Sequence, residues 1–401
     1  MKVLHVIPRL AIQCGGPVTA VLGMTSALSK AGVEVRLITT DHWSEGRPDN
    51  IECDTRIHPC LFGPWQFSPK LNRALPDEVA WADVVNLHTL WSFPTAAASR
   101  VCRKMGVPYI LRPCGMLDSW SRAQKSFKKR LYTTLVERHI INGAASLWFT
   151  SEEERKGAQS FNYLCPDTVI PLGLAPEAYK DLPAPGTFRS QHPEIEKRRF
   201  VLFLGRITPK KQTGLLLKAY ARVCSEFPDV SLVIAGPDEG TYLRELKQLA
   251  KSLGITDRVL FTGPLRGQEV QAALLDSEVF VLPSLHENFG VSVIEALACG
   301  VPVVLSNLVN LATDISRSEA GLAITPDEES LVESLRTLLS NPTLARQMGQ
   351  RGRQLALDCF TWEGIIPKLI DLYEKAMSGK LKAGAESQML RMSEQDQVSE
   401  L

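Results

Sequence analysis

The sequence predicts an α/β protein made of two doubly wound, Rossmann-like domains that face each other across a cleft. Short β-branched apolar runs alternate with helix-length amphipathic segments almost from end to end, which is typical of βαβ units and parallel sheets. These runs form two series, separated by a stretch rich in proline and charge. The chain has 401 residues, more than one hydrophobic core usually accommodates, so two domains are expected.

The first series of runs predicts a domain over residues 1–172. Its first helix should begin near Pro17 and stop at Gly32, because proline favours the first helical turn and glycine the position after the last. Ser151 and Glu154 have the spacing of a capping box. The predicted strands occupy residues 3–7, 33–39, 84–87, 108–111, 145–149 and 168–170.

The second series predicts a domain over residues 200–360. Between the domains, prolines and charges in residues 173–199 indicate a linker. Residues 361–377 form one amphipathic helical pattern, and residues 378–401 are poor in aromatic and β-branched side chains, which predicts a disordered tail. The predicted strands of this series occupy residues 201–204, 232–235, 259–262, 279–282, 303–305 and 322–324.

Composition and charge exclude several classes of protein. The 45 basic and 44 acidic side chains give a net charge of +1, so no overall attraction to nucleic acid is expected. The nine cysteines contain no Cys-x-x-Cys pair, which indicates reduced, mostly buried thiols. The amino terminus has no pattern of a secretory signal, and no apolar run approaches the roughly 20 residues that span a bilayer. These features predict a cytoplasmic enzyme or binding protein.

The stretch HENFGVSVIEALACGVP carries two glutamates, Glu287 and Glu295, around a predicted helix start at Gly290. In doubly wound domains ligands bind beyond the carboxyl ends of the strands, and a helix amino terminus there attracts an anion. Glu295 could accept hydrogen bonds from ribose hydroxyls, and Glu287 from the hydroxyls of a sugar beyond a diphosphate. A nucleotide-sugar fits this pattern. The alternative is that both glutamates are ordinary surface carboxylates.

A second candidate site lies in FLGRITPKKQTG, where a strand ends and Gly205 lets the chain turn. Arg206 and Lys211 then follow at the same edge, where they could clamp a diphosphate. Fixed cations there would stabilise the charge that develops on the β-phosphate as it departs. Basic residues in such a loop can also serve solubility alone, and this reading is favoured for Lys210.

These motifs resemble the family 4 glycosyltransferases, which have the two-domain GT-B fold and retain anomeric configuration. The resemblance covers nearly the whole chain, and its motifs occur in the family's order. The most specific are Glu-x7-Glu with its Asn-Phe-Gly and Glu-Ala-Leu-Ala segments, and Gly-Arg followed by Lys. They occupy residues 287–298 and 205–211, and further matches begin at Gly236, Thr262, Pro283 and Gly300.

The resemblance implies a role for each matching residue. Arg206 and Lys211 would bind the donor diphosphate, Glu287 the donor sugar and Glu295 the ribose. Gln212 and Leu172, where many members have glycine and asparagine, put only the local loop geometry in doubt. The remaining implied donor-site positions are Asn288, Phe289 and Gly290, main chain near Gly263 for the nucleobase, the diphosphate loop Gly15–Gly16 of the first domain, and His88 near the donor sugar and acceptor.

The implied reaction transfers a sugar, with retention, from a UDP- or GDP-linked donor to a glycan or lipid-linked glycan. The implied pathway is cell-surface polysaccharide or lipopolysaccharide biosynthesis, and the last helix would cross back to the first domain. No cofactor is expected, because GGPVTA does not satisfy Gly-x-Gly-x-x-Gly. No metal is expected either, because the chain has no Asp-x-Asp motif. Retention without an evident nucleophile suggests front-face attack, with the departing phosphate accepting the proton.

A basic amphipathic pattern over residues 119–140 could rest on an anionic membrane, where lipid-linked acceptors are found. The protein would then be peripheral on the inner face of the cytoplasmic membrane. A solvated helix face explains the pattern equally well. Two alternatives to a transferase stay open: a nucleotide-sugar epimerase of the same fold, and a catalytically silent partner that only binds nucleotide-sugar.

Overall fold

The structure is a computed structural model that describes residues 1–11, 15–41, 51–61, 63, 65–118, 136–238 and 240–381. The chain divides into two compact units. Unit 1 contains Met1–Pro171 and the chain from Glu363 onward, and unit 2 contains Leu172–Trp362. Most of the predicted basic segment 119–140 and of the predicted tail 378–401 lies outside the described residues. In the part of the chain that the structure describes, no helix is long and apolar enough to cross a membrane.

The sheet of unit 1 has seven parallel strands in the order β3-β2-β1-β4-β5-β6-β7. The strands between the edges are almost fully buried, as expected of a sheet covered by helices on both faces. The order reverses between β1 and β4, which makes their carboxyl ends the switch point of a doubly wound fold. The strands are β1 Lys2–Arg9, β2 Glu34–Thr40, β3 Asp54–His58, β4 Val84–His88, β5 Tyr109–Arg112, β6 Ser146–Phe149 and β7 Asp167–Val169.

Serine caps begin several helices of unit 1. The Ser151 hydroxyl accepts a hydrogen bond from the Glu154 amide at 3.0 Å, as the capping box predicts. The Glu154 carboxylate instead accepts from the amides of Gly115 and Thr150, at 2.6 and 2.7 Å, so it holds the loop after β5. The helices are α1 Gly16–Lys30, α2 Pro69–Trp81, α3 Phe93–Met105, α4 Arg138–Asn142 and α5 Glu152–Gln159.

The sheet of unit 2 has six parallel strands in the order β10-β9-β8-β11-β12-β13, so its switch point lies between β8 and β11. The strands are β8 Arg199–Leu204, β9 Val230–Ala235, β10 Val259–Gly263, β11 Val279–Leu282, β12 Val303–Ser306 and β13 Gly321–Ile324. The helices are α6 Thr187–Ser190, α7 Thr213–Val223, α8 Tyr242–Ser252, α9 Gln268–Asp276, α10 Val291–Ala298, α11 Ala312–Arg317, α12 Glu328–Ser340 and α13 Pro342–Cys359.

Residues 173–199 are more firmly packed than the predicted linker. The ring of Phe188, on α6, is buried and lies 5.6 Å from the ring of Phe200 on β8. The buried Asp276 carboxylate accepts hydrogen bonds from the amides of Gly186 and Arg189, at 2.5 and 3.0 Å. An aromatic anchor and a buried carboxylate therefore tie the segment into unit 2, despite its prolines and charges.

The last helix, α14 (Trp362–Met377), crosses back to the first domain. Its Tyr373 is fully buried, and the phenol donates a hydrogen bond of 3.2 Å to the Asn86 side-chain oxygen on β4. The last helix described therefore reaches the centre of the sheet in unit 1.

Candidate functional site

The switch point of unit 2 brings together residues that are far apart in the sequence. Arg206 lies two residues beyond the end of β8, and Lys211 ends the 3-10 helix Pro209–Lys211 that follows. Glu287 lies beyond the end of β11, the strand beside β8. Because β8 and β11 are parallel neighbours, the loops that follow them meet at one edge of the sheet. Their backbones are joined there, since the Leu285 amide donates to the Lys210 carbonyl at 3.0 Å.

Lys211 and Glu287 form an ion pair at this edge. The Lys211 ammonium donates a hydrogen bond to the Glu287 carboxylate. Lys211 is only 9% exposed and the Glu287 side chain 21%, so water screens the pair poorly. Lys211, predicted to bind the diphosphate, and Glu287, predicted to bind the sugar, therefore contact each other. A bound oxyanion could take the ammonium and free the carboxylate for hydroxyl groups.

The backbone of Glu287 is fixed by the loop after β12. Its amide donates to the Leu308 carbonyl at 3.4 Å, and the Asn310 amide donates to the Glu287 carbonyl at 3.1 Å. The loops that follow three neighbouring strands, β8, β11 and β12, thus contact this one residue. Such bracing reduces the freedom that the side chain would lose on binding a ligand.

Gly290 precedes α10 and has a φ of 82°, a conformation that favours glycine. A Cβ at this position would lie 3.0 Å from Cγ2 of Val293. The amino terminus of α10 follows directly, and its first amides are those that a helix leaves without intrahelical partners. Phe289 beside it is 3% exposed and packs edge-on against Phe360, 5.8 Å between ring centres. Its side chain is therefore part of the core, which leaves its main chain for any ligand contact.

Glu295 lies on α10, about one turn beyond the helix start. It is half-buried, and burial raises the pKa of its carboxyl to about 7. Burial raises the pKa of the Tyr179 phenol, and the nearby negative charge of Glu295 raises it further. Near neutral pH this carboxyl can therefore change protonation state when hydroxyl donors bind it.

At the same edge of the sheet, Gly236 approaches Gly205 closely, a contact that the motifs containing these two glycines did not predict. A Cβ on Gly236, which follows β9, would lie 1.8 Å from the Gly205 carbonyl oxygen. The Gly236 amide donates to the carbonyl of Gly263 at 2.8 Å, at the end of β10. The carbonyl of Gly263 is thus engaged within the sheet edge. A glycine directly after a strand, in GPDEG, was the available signal.

In unit 1, His88 lies at the carboxyl end of β4, next to the switch point. It is fully buried, and its Nε2 lies 3.1 Å from Nδ1 of His5 and 3.0 Å from the side-chain nitrogen of Asn86. Burial, then the nearby charge of Arg112, lowers the pKa of both His88 and His5, for His5 to about 3. Both imidazoles are therefore neutral at physiological pH.

The glycine loop of unit 1 is described in part, since residues 12–14 lie outside the described residues. Gly15 has a φ of 64° and its carbonyl accepts the Val18 amide at 3.0 Å, so it caps α1. Gly16 is the first residue of that helix. Within the described ranges, no group of three or more His, Cys, Asp or Glu side chains is arranged to hold a metal ion.

The fold of the chain is similar to that of solved glycosyltransferase structures. Anabaena HepE, solved in complex with UDP-glucose, is similar in structure with a TM-score of 0.77 and 16% identity, over 94% of this chain and 100% of that one. A likeness at this identity concerns the fold, and the fold is GT-B. It is the fold of a large class of glycosyltransferases.

The family follows from the sequence. Residues 186–355 match the model described as glycosyl transferases group 1, and residues 15–173 match the glycosyl transferase 4-like domain. The chain therefore belongs to the family 4 glycosyltransferases, whose two domains these models describe. The family predicted from the motifs is thereby confirmed.

Two curated relatives give the range of similarity. D-inositol 3-phosphate glycosyltransferase of Salinispora tropica is 33% identical over 46% of this chain and 39% of its own length. The GDP-mannose-dependent alpha-(1-6)-phosphatidylinositol monomannoside mannosyltransferase of Mycolicibacterium smegmatis is 28% identical over 61% of this chain and 65% of its own length. The matched part of the chain thus spans less than two thirds of either relative.

Proposed function

We propose that the protein is a retaining glycosyltransferase that moves a sugar from a UDP- or GDP-linked donor to a glycan or lipid-linked glycan acceptor. The observation that carries the proposal is the pairing of Lys211 with Glu287 beside the start of α10. Here a cation, a carboxylate and a helix amino terminus share the switch point of one sheet. The similar proteins include one solved with UDP-glucose and one named as GDP-mannose-dependent, which supports a nucleoside-diphosphate sugar as donor.

The ion pair suits a ligand that carries both a diphosphate and hydroxyl groups. When the donor binds, the Lys211 ammonium moves from Glu287 to the β-phosphate, and the freed Glu287 carboxylate accepts hydrogen bonds from the sugar hydroxyls. Glu295, about one turn along α10, accepts from the ribose. Arg206, with Lys211, holds the α- and β-phosphates. The main chain at Asn288, Phe289 and Gly290 adds amide donors.

Catalysis then depends on charge that appears only as the glycosidic bond breaks. The β-phosphate gains negative charge, and the fixed cations Arg206 and Lys211 stabilise it more in the transition state than in the ground state. These side chains supply the positive charge without a metal ion. The acceptor hydroxyl attacks on the face from which the diphosphate leaves, and a phosphate oxygen takes its proton. His88, Gly263 and the Gly15–Gly16 loop stay predicted contributors to donor binding.

The proposed setting is cell-surface polysaccharide or lipopolysaccharide synthesis, with the protein peripheral on the inner face of the cytoplasmic membrane. The basic pattern of residues 119–140 is the basis for membrane contact. Sedimentation with anionic and neutral vesicles tests this part of the proposal alone. Equal partition with both kinds would remove the membrane from the proposal and leave the transfer reaction intact.

The donor is tested by titration calorimetry with UDP, GDP, ADP and their sugar conjugates, in buffer with a chelator. Wild type should bind one nucleotide series, and Glu295→Ala should bind it more weakly, whereas the control Glu278→Ala, at the far end of β11, should not. Donor breakdown is then followed by release of the nucleoside diphosphate. Binding without any release in the presence of lipid-linked glycan acceptors would favour the silent partner, and a changed sugar on an intact nucleotide would favour the epimerase.

A further inference from the structure

The most unusual side chain of unit 1 is Arg112, the last residue of β5. It lies beside His88 in the register of the sheet and is 1% exposed. Its Nε and Nη1 atoms are buried and have no hydrogen-bond partner. A guanidinium that keeps two of its nitrogens unsatisfied inside a protein is rare, because each unmade hydrogen bond costs free energy.

The positive charge of Arg112 also has no counter-charge in an ion pair within the described part of the chain. Its neighbours include the imidazoles of His5 and His88, the Cys114 thiol within hydrogen-bond reach, and the indole of Trp148, whose ring centre lies 5.3 Å from the guanidinium carbon. The cation–π contact offsets part of the cost of burial. Nε2 of His5 is a further buried nitrogen without a partner. The cluster therefore holds a cation and unsatisfied nitrogen atoms, with no carboxylate.

Two buried carboxylates in this protein, in contrast, each accept several hydrogen bonds. The Glu154 carboxylate accepts hydrogen bonds from Gly115 and from the amide and hydroxyl of Thr150. The Asp276 carboxylate accepts from two amides. Buried charges are normally paired in this way, because desolvation is costly. Arg112 departs from that pattern at the sheet edge where ligands of doubly wound domains bind.

Two loops border Arg112 at the carboxyl end of β5. The Thr89 amide donates to the Arg112 carbonyl at 2.9 Å, so the loop after β4 lies against the end of β5. Thr89 and Cys114, on the loops after β4 and β5, have φ values of 69° and 56° without being glycines. The unpartnered nitrogens lie below the surface, so binding of an anion there would require one of these loops to move aside. The planar fork of arginine matches the oxygens of a phosphate in two parallel hydrogen bonds.

We propose that Arg112 binds a phosphate group of the acceptor, so that the acceptor substrate is a phosphate ester. Arg112 belongs to unit 1, whereas Lys211 of the proposed donor diphosphate site belongs to unit 2. The assignment of this phosphate to the acceptor rests on the proposed transferase function, whereas the anion site itself rests on Arg112 alone.

The test uses the full-length protein and inorganic phosphate as the probe, titrated by calorimetry at constant ionic strength against chloride. Arg112→Met should weaken phosphate binding by about 10- to 100-fold, the value of hydrogen bonds to a charged group. The phosphate affinity of Arg112→Lys should lie between those of wild type and Arg112→Met, because lysine keeps the positive charge but lacks the planar fork of arginine. Arg222→Met, which removes an exposed arginine of unit 2, is the control and should bind phosphate like wild type.

Two further measurements separate the sources of binding. Lys211→Ala disrupts the donor site and should keep its Arg112-dependent phosphate binding; loss of all phosphate binding in this variant, or its absence in wild type, would overturn the proposal. Without ligand, Arg112→Met should melt at a higher temperature than wild type, because an unpaired buried charge has been removed. A lower melting temperature with unchanged phosphate affinity would show a structural arginine and would also overturn it.

Titration with UDP and GDP in the same preparations tests the proposed function independently. Nucleotide binding without Arg112-dependent phosphate binding would leave the transferase standing and remove the phosphate ester. Phosphate binding at Arg112 without binding of any nucleotide would remove the transferase and, with it, the assignment of the phosphate to an acceptor.

Discussion

The two units have the same strand order around their switch points. They differ in whether the buried cation at the carboxyl edge of the sheet has a counter-charge. In unit 2 the buried ammonium of Lys211 is compensated by Glu287. In unit 1 the buried guanidinium of Arg112 has neutral imidazoles beside it and two nitrogens without partners. The fold thus supplies an edge where loops converge, and the side chains at that edge decide whether a buried charge there has a partner.

The compensated edge is broken most severely by Lys211→Ala. We expect a fall in sugar transfer of ~100- to 1,000-fold, because one fixed cation for the leaving group is lost and Glu287 keeps a half-buried charge without its partner. Lys210→Ala, in the same 3-10 helix, is the matched control and should retain near-normal turnover. Initial rates with saturating donor measure both. Equal losses in the two variants would mean that the loop contributes general positive charge and that the pair is not special.

The backbone of the same edge is broken by Gly236→Ala. The added methyl group would lie 1.8 Å from the Gly205 carbonyl, so we expect a loss of about 3 kcal/mol in the free energy of unfolding. Gly254→Ala is the control, since Gly254 has a φ of 69° but nothing within 4 Å of the added carbon. It should lose about 1 kcal/mol, from the backbone conformation alone. Urea denaturation gives both values, and similar losses would argue that conformation, not the close approach, makes Gly236 necessary.

The titration of Glu295 sharpens the comparison, because unit 2 has a group that responds near neutral pH and the histidines of unit 1 do not. Burial raises the Glu295 pKa to about 7, and hydroxyl donors favour the ionised carboxylate. Nucleotide affinity should therefore rise about tenfold as the pH increases through 7, from about 6 to about 8. Glu295→Gln should bind weakly with a flat pH profile. A wild-type profile that is also flat would place the ribose elsewhere.

The smallest effect is expected in the buried network of unit 1, from Tyr373→Phe. This change removes the hydrogen bond to Asn86, whose amide nitrogen lies beside His88, and should cost about 1 kcal/mol of unfolding free energy. The nitrogen-15 shifts of the His88 ring should change as well, because Asn86 is free to turn. Tyr242→Phe, a half-buried phenol of unit 2, is the control. Unchanged His88 shifts in Tyr373→Phe would show that the last helix only packs on the sheet.

Much of the fold could be predicted from local pattern. Each of the twelve predicted strands overlaps a strand of the structure, because buried parallel strands are short apolar runs bounded by turn residues. The local pattern does not predict β3 (Asp54–His58), which is polar. It is an edge strand, so it pairs with a neighbour on one side only, and its side chains are exposed or half-buried. Residues 173–199 were assigned to a linker because composition does not reveal that Phe188 finds a buried position.

The sequence by itself determined the family, the two series of strands and the order of the motifs at Arg206, Lys211, Glu287 and Glu295, since these are properties of neighbouring residues. The tertiary structure alone decided that Lys211 contacts Glu287, 76 positions away, and that Arg112 lies beside His88 without a counter-charge. The physical reason is that charge compensation depends on which strands are neighbours in a sheet. Strand order is set by long-range packing, which the local periodicity of a sequence does not encode.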